Sequence, residues 1–222
     1  LPEEDGALNV KGVAEVLDGC GRAGALALGP GLGRTPSAEE FARALAREAP
    51  IPLVLDADGL NAHAGRLVEL AVRTAPSVLT PHGGELARLL ELDSEEIARD
   101  RLHHVREAAR LAAAIVVLKG DDTLIADPSG KVAVSRGASP ALATAGTGDV
   151  LTGVIAALLA AGIETFAAAA AGVWLHAEAG RVAARRVGAA EGVIASDVIE
   201  ALPAARASVA NQVPDDEGAG RG

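Results

Sequence analysis

Four short apolar runs, Ala25-Leu26-Ala27-Leu28, Leu53-Val54-Leu55, Ser77-Val78-Leu79-Thr80 and Ile115-Val116-Val117-Leu118, recur through the first 120 residues. Each is too short for a stable helix and lacks the polar alternation of a half-solvated strand. They therefore read as strands buried on both faces, the pattern of a parallel sheet covered by helices. Each run leads into a loop rich in chemistry-bearing residues: Gly29-Pro30-Gly31-Leu32-Gly33, Asp56-Ala57-Asp58-Gly59, Pro81-His82-Gly83 and Lys119-Gly120-Asp121. In doubly wound sheets ligands sit at the carboxyl ends of parallel strands, so these loops are expected to converge on one site.

The segments between the strands carry helical signals. Ser37 with Glu40 reads as a capping box opening a helix through Ala49, which Pro50 and Pro52 stop. Glu95 to Ala114 reads as one long helix. Thr123 to Ala126 and Lys131 to Val134, joined by Asp127-Pro128-Ser129-Gly130, predict a hairpin that extends one edge of the sheet with antiparallel strands. From Gly148 onward helices are expected at Val150 to Ala161, at Thr165 to about Arg186, and as a short element from Ser196. The expected fold class is α/β: a three-layer α/β/α sandwich with a mainly parallel, Rossmann-like sheet and an antiparallel edge hairpin. Residues 1–209 are expected to form one domain, with 210–222 a disordered tail.

Half of the residues are apolar, yet only Phe41, Phe166 and Trp174 are aromatic, so Ala, Val, Leu and Ile must fill the interior. A formal net charge of -10 disfavours nucleic acid and anionic membrane surfaces as partners. Cys20 stands alone, which rules out an intrachain disulfide and fits a reducing cytoplasm. Val150 to Ala161 and Phe166 to Leu175 fall short of the roughly 20 apolar residues that cross a bilayer. No basic region followed by an apolar run marks a signal peptide. The absence of methionine, with Leu1-Pro2-Glu3-Glu4 at the start, reads as a fragment of a longer chain.

The most informative segment is Ala143-Thr144-Ala145-Gly146-Thr147-Gly148-Asp149, a glycine-rich turn feeding an apolar helix. Glycines let backbone N–H groups approach an anion, and the helix N-terminus favours the charge that builds on a transferring phosphate. Asp149 at that point either caps the helix or takes a proton from a hydroxyl as it attacks phosphorus. No Lys-Ser or Lys-Thr pair follows, so this is not a Walker A loop, and the glycine spacing is not that of a dinucleotide fingerprint.

Lys119, one of only three lysines with Lys11 and Lys131, reads either as a solvated side chain or as a cation kept at a strand end for a purpose. Gly29 and Gly31 mark either a tight turn or a close backbone approach to a ligand. His82 is a loop imidazole able to hydrogen-bond polar groups, and Glu85 either complements the helix dipole or orders magnesium-bound water. Asp56, Asp58 and Asn61 read as loop-fixing residues. His63, His103, His104 and His176 read as ordinary helix residues, the adjacent His103 and His104 pointing in different directions. No metal ligands are assigned.

Gly29 to Gly33, Asp56 to Asn61, Leu79 to Glu85, Lys119 to Thr123 and Ala143 to Val150 occur in the same order as the motifs of the ribokinase-like NAD(P)H-hydrate dehydratases. The resemblance runs from about Ala25 to Leu202. It implies a ribokinase-like fold and an enzyme, a hydro-lyase of nicotinamide nucleotide repair. That enzyme phosphorylates the hydroxyl of hydrated NADH or NADPH with ADP or ATP and Mg2+, then expels phosphate.

Carried over by position, Lys119, Gly120, Asp121, Asp122 and Thr123 bind the nucleotide, with a further backbone contact from Gly148. Gly29, Gly31, His82 and Asp149 contact the hydrated cofactor, and Asp149 is the catalytic acid/base. The resemblance also implies a cytoplasmic homo-oligomer, a tetramer among the family's forms, fused in some full-length proteins to an NAD(P)H-hydrate epimerase domain. Gly83 departs from a usual proline, Ser139 from a usual asparagine and Ala141 from a common glycine, and the family carries several tens of residues before the position of Leu1. Two rivals stand beside this reading. One is a ribokinase-like kinase of a thiazole or pyrimidine alcohol, against which the His82 segment argues. The other is a catalytically silent nucleotide-binding protein, against which Lys119 and Asp149 argue.

Overall fold

The computed structural model describes residues 3–4, 7–137 and 139–210. Its elements are β1 (Glu3–Glu4), β2 (Ala7–Leu8), α1 (Val13–Cys20), β3 (Leu26–Leu28), α2 (Pro36–Glu48), β4 (Leu53–Leu55), α3 (Ala57–Asn61) and β5 (Ser77–Leu79). They continue through α4 (Gly83–Leu90), α5 (Ser94–Arg99), α6 (Arg101–Ala112), β6 (Ile115–Leu118), β7 (Thr123–Ala126), β8 (Val132–Ser135), α7 (Thr147–Ala160), α8 (Thr165–Val187) and α9 (Ala195–Ala210). They fall into two compact units, one of Leu1–Ala138 with Leu151–Val173, the other of Ser139–Val150 with Trp174–Gly222.

The first unit is built on a six-stranded sheet in the order β3-β4-β5-β6-β7-β8. Strands β3 to β6 are parallel, and β7 and β8 add the expected antiparallel hairpin at one edge. Neighbours in the sheet are neighbours in sequence, so the strand order does not reverse among the described parallel strands. Period-two alternation divides the side chains between two cores. Leu53, Leu55, Leu79, Val116 and Leu118 pack with Phe41 and Leu45 of α2, Leu86 of α4 and Val105 of α6. Val54, Val78, Ile115, Val117 and Ile125 face the other way, onto Leu151, Ile155 and Leu159 of α7 and Ala168, Ala169 and Val173 of α8. Small residues bring these layers close: a Cβ on Gly24 would stand 2.8 Å from the Ala160 backbone, and one on Gly172 2.6 Å from Ile155.

Helix α2 and the Glu95–Ala114 segment differ from the sequence expectation, and α7 begins at Thr147 rather than Val150. Helix α2 is capped by Thr35, whose hydroxyl accepts from Ala38 N at 3.2 Å, because Pro36 takes the first helical position and needs no acceptor for a missing N–H. Ser37 is thereby inside the helix, and its hydroxyl donates to the Leu8 carbonyl. The segment from Glu95 to Ala114 is two helices, broken at Asp100 (φ -143°, ψ 68°). The Asp100 carboxylate accepts from His103 N at 3.0 Å and so opens α6 as an N-cap. Its short acceptor offers the backbone an alternative to continuing α5.

The second unit gathers a 3-10 turn at Pro140–Ala143, the first turn of α7, the end of α8 and α9. Helix α9 has 16 residues with Pro203 inside it, longer than the short element expected from Ser196. Of the tail expected at 210–222, residue 210 closes α9 and 211–222 lie outside the described residues. Among the described residues no helix is long and apolar enough to cross a membrane.

Candidate functional site

The carboxyl ends of β3 to β6 place four loops side by side. Gly29, at the end of β3, has φ +137°, and a Cβ there would overlap the Asp56 carbonyl oxygen. Gly59 answers from the other side, where a Cβ would come within 2.8 Å of the Leu28 carbonyl. Packing alone therefore requires glycine at 29 and 59. Gly31, at φ +74°, faces open space. These two glycines separate experimentally. Gly29→Ala is expected to cost roughly 2–6 kcal/mol through backbone strain and overlap. Gly31→Ala should cost about 1–2 kcal/mol. Thermal melts check both values.

Asp58 ties the Gly29–Gly33 loop down: it accepts from Gly33 N and from Arg34 Nε, both at 3.0 Å. Partial burial raises its pKa, but the Arg34 hydrogen bond, the Gly33 amide and the Arg34 charge outweigh this and hold the carboxyl below its ordinary value. Asn61 accepts from Arg88 Nε at 2.9 Å, linking α3 to α4. His63 is buried and shares its Nδ1 with the Gly59 carbonyl at 2.9 Å; burial depresses its pKa and keeps the ring neutral.

The centre of the first unit's site is Asp56, whose side chain is only 2% exposed at the end of β4. Its Oδ1 pairs with Lys119 Nζ at 2.9 Å and its Oδ2 accepts from Thr152 Oγ1 at 2.8 Å. Lys119, at the end of β6 and 23% exposed, also lies 3.8 Å from Glu85 Oε2. The backbone brings these groups together, since Lys119 N donates to Pro81 O at 2.9 Å and sets residues 82 and 119 in a parallel bridge. Lysine at 119 is thus no solvated side chain: it is held by one buried carboxylate and stands near another.

His82 caps α4 with its ring, Nδ1 accepting from Gly84 N at 3.0 Å and Glu85 N at 3.4 Å, while Glu85 Oε2 accepts from His82 N at 2.8 Å. Nδ1 is the ring nitrogen that serves as the cap acceptor. The ring is about half exposed, and its Nε2 lies 3.6 Å from Glu85 Oε2.

In the Lys119–Thr123 segment, Arg101 Nη2 donates to the Leu118 and Lys119 carbonyls at 3.3 Å and packs against Gly120, where a Cβ would meet it at 2.5 Å. Thr123 Oγ1 donates to Gly120 O, Asp122 Oδ1 accepts from Gly137 N, and Asp121 is exposed. Arg101 and Thr152 were not singled out in the sequence. Thr152 is the one hydroxyl in the apolar stretch Val150 to Ala161, three residues after Asp149, and that isolation is the one signal that could have found it. Arg101 is one of many charged residues on its segment and carried none.

In the second unit, Gly146 at φ +86° lets the chain turn into α7, and a Cβ there would press within 3.2 Å of Ala195. Thr147 Oγ1 donates to Leu142 O at 2.7 Å and lies 2.8 Å from Thr144 O, and Thr144 Oγ1 donates to Val193 O at 2.9 Å. These bonds fix the turn so that α7 starts at Thr147, with Gly148 and an exposed Asp149 in its first turn. Thr147 N donates back to Thr144 O at 3.4 Å, and the amides of Gly148 and Asp149 that follow it stand in the first turn, where an N–H lacks an intrahelical acceptor and suits an anion.

The expectation that His103 and His104 point apart is corrected. Their Cα atoms diverge around α6, but both imidazoles swing toward Glu107, at 3.7 Å from His103 Nε2 and 3.9 Å from His104 Nδ1. His176 is buried in α8.

Residues 7–204 match the family described as NAD(P)H-hydrate dehydratase. A bifunctional NAD(P)H-hydrate repair enzyme of Moorella thermoacetica is 42% identical over 204 residues, covering 91% of this chain and 38% of the relative. The ADP-dependent (S)-NAD(P)H-hydrate dehydratase of Neisseria meningitidis is 43% identical over 157 residues, covering 70% of this chain and 52% of the relative. Among solved structures, the ADP/ATP-dependent NAD(P)H-hydrate dehydratase from Bacillus subtilis, co-crystallized with ATP/Mg2+, superposes with a TM-score of 0.73 at 31% identity over 83% of this chain and 64% of that one. The chain thus spans about two fifths to about half of the length of these curated relatives. With the mixed six-stranded sheet, the helices on both of its faces and the family match over almost all described residues, the chain belongs to the NAD(P)H-hydrate dehydratase family.

Proposed function

We propose that the chain dehydrates the S-form of hydrated NADH and NADPH in a nucleotide-dependent reaction. The substrate hydroxyl oxygen attacks the terminal phosphorus of ADP or ATP, an O–P bond forms, and the bridging P–O bond breaks to leave AMP or ADP. Asp149 takes the hydroxyl proton. The ring nitrogen's lone pair then displaces phosphate from carbon, and a proton leaves the neighbouring carbon to restore the reduced nicotinamide. Hydroxide is a poor leaving group and phosphate a good one, so nucleotide cleavage drives the dehydration.

The observation that carries this reading is the glycine turn into α7, which presents an exposed carboxylate, Asp149, among first-turn amides suited to phosphate. In the same reading Lys119 to Thr123 and Gly148 serve the nucleotide, and Gly29, Gly31 and the His82 ring serve the hydrated cofactor. Magnesium supplies charge neutralisation on the phosphates when bound. Glu85 is the carboxylate that would hold such a cation through a water, with its Oε2 already accepting from His82 N at 2.8 Å and lying 3.8 Å from Lys119 Nζ.

The proposal extends to a cytoplasmic homo-oligomer in which buried Cys20 stays reduced, and to a place beside an epimerase activity in a longer repair protein. The test is incubation with hydrated NADH, magnesium and ADP or ATP, following reduced-nicotinamide absorbance. Recovery that requires a nucleotide is expected and identifies the phosphate donor. No recovery with a folded protein carrying the family's N-terminal segment would refute the reading.

A further inference from the structure

We propose that His103, His104 and Glu107 on α6 bind a divalent transition ion of Zn2+ or Ni2+ character, at a site apart from the nucleotide segment. His103 and Glu107 stand four residues apart on α6, the spacing that stacks two side chains on one helix face. His104 joins them from one turn's reach. His103 Nε2 lies 3.7 Å and His104 Nδ1 3.9 Å from Glu107 Oε2, and all three candidate donor atoms lie within 4.8 Å of one another. Donors about 2.0–2.1 Å from a tetrahedral ion are roughly 3.3 Å apart. Small rotations of His103 and Glu107, both partly exposed, close that gap.

The second observation is independent of the clustering. His104 is only 6% exposed, and its Nδ1 is buried without a hydrogen-bond partner. Buried polar atoms are nearly always satisfied, so an orphaned imidazole nitrogen facing a carboxylate and a second imidazole points to a missing ligand. His103 and Glu107 also line an open groove of about 320 Å3 with Arg106, Arg110 and the Pro128–Gly130 turn, which gives an ion an entry path and leaves a fourth position for water or an anion.

Two imidazoles and one carboxylate select imidazole-preferring ions over magnesium or calcium. The groove arginines oppose a cation. Arg106 is committed through Nε to the Gly130 carbonyl at 3.1 Å, and Arg110 would favour an anionic fourth ligand.

The experiment titrates Zn2+ or Ni2+ into untagged, chelator-treated protein in excess Mg2+, by calorimetry and by thermal melting. One equivalent is expected to bind, and at a free-ion level a hundredfold above Kd the Tm should rise by roughly 5–10 °C. His103→Ala and Glu107→Gln, at partly exposed positions that leave the fold in place, should each weaken binding at least tenfold. Absence of stoichiometric binding, binding that both variants keep, or equal displacement by Mg2+ would overturn the site.

Discussion

Asp149→Asn is expected to lower kcat for nucleotide-dependent dehydration by about 10²–10⁴ while leaving the protein folded. Asparagine keeps the size of the side chain and its capacity to sit in the first turn of α7, but it cannot accept the hydroxyl proton. The loss belongs to the transition state, so kcat and kcat/KM should fall together with the KM values for hydrated cofactor and nucleotide little changed. Asp149 is exposed, and removing its charge from a helix N-terminus costs only about 0.3–1 kcal/mol. A melt within about 4 °C of the parent protein accompanies that loss.

Asp149→Glu separates proton transfer from mere negative charge. It restores the carboxylate but displaces it by a methylene, and a misplacement of about 1 Å can itself cost on the order of 10²-fold. The glutamate variant should therefore remain far below the parent protein. Steady-state recovery of reduced nicotinamide at saturating nucleotide reads both variants. If Asp149→Asn keeps activity within tenfold of the parent, Asp149 serves only as a first-turn charge beside the α7 dipole and the base lies elsewhere.

The sheet was legible in the sequence because each strand is a run too short and too apolar to be anything else. The hairpin was legible because Asp127-Pro128-Ser129-Gly130 permits little but a turn. The break at Asp100 was not, because Arg99-Asp100-Arg101 contains neither Pro nor Gly and the carboxylate's role as a cap depends on where the chain goes next. The cap of α2 was readable in principle: Pro36 at the first helical position points back to Thr35 rather than forward to Ser37.

At the site, the loops could be read and their pairings could not. Asp56 is 63 residues from Lys119 and 96 from Thr152, and only the parallel register of β4 to β6 and the packing of α7 bring the three together. Gly29 carried two explanations in the sequence, and the overlap of its missing Cβ with Asp56 supplies a packing reason regardless of any ligand. His82 was recognised as a loop imidazole, but its use of Nδ1 as a helix cap follows from the path of Gly83 and Gly84, which the sequence leaves open.

Lys119→Met should destabilise the first unit by about 3–5 kcal/mol, because it strips the cation from a carboxylate that is almost wholly buried. For a chain of this size that corresponds to a Tm lower by roughly 6–20 °C. The Thr152 hydroxyl remains on Asp56 Oδ2, but one neutral hydrogen bond does not replace an ion pair in a desolvated site. Asp56→Asn should cost less, since the released Lys119 is partly exposed and keeps Glu85 nearby.

The double variant Asp56→Asn, Lys119→Met removes both charges and should recover most of the stability lost in Lys119→Met, giving a favourable coupling energy in the cycle. Its purpose is to free the nucleotide question from the folding question. If the ammonium serves the nucleotide as well as Asp56, the stable double variant still binds ADP and ATP weakly by calorimetry. If binding returns to the parent value along with stability, Lys119 acts only by neutralising Asp56, and the phosphate contacts of the segment belong to its backbone and to Thr123.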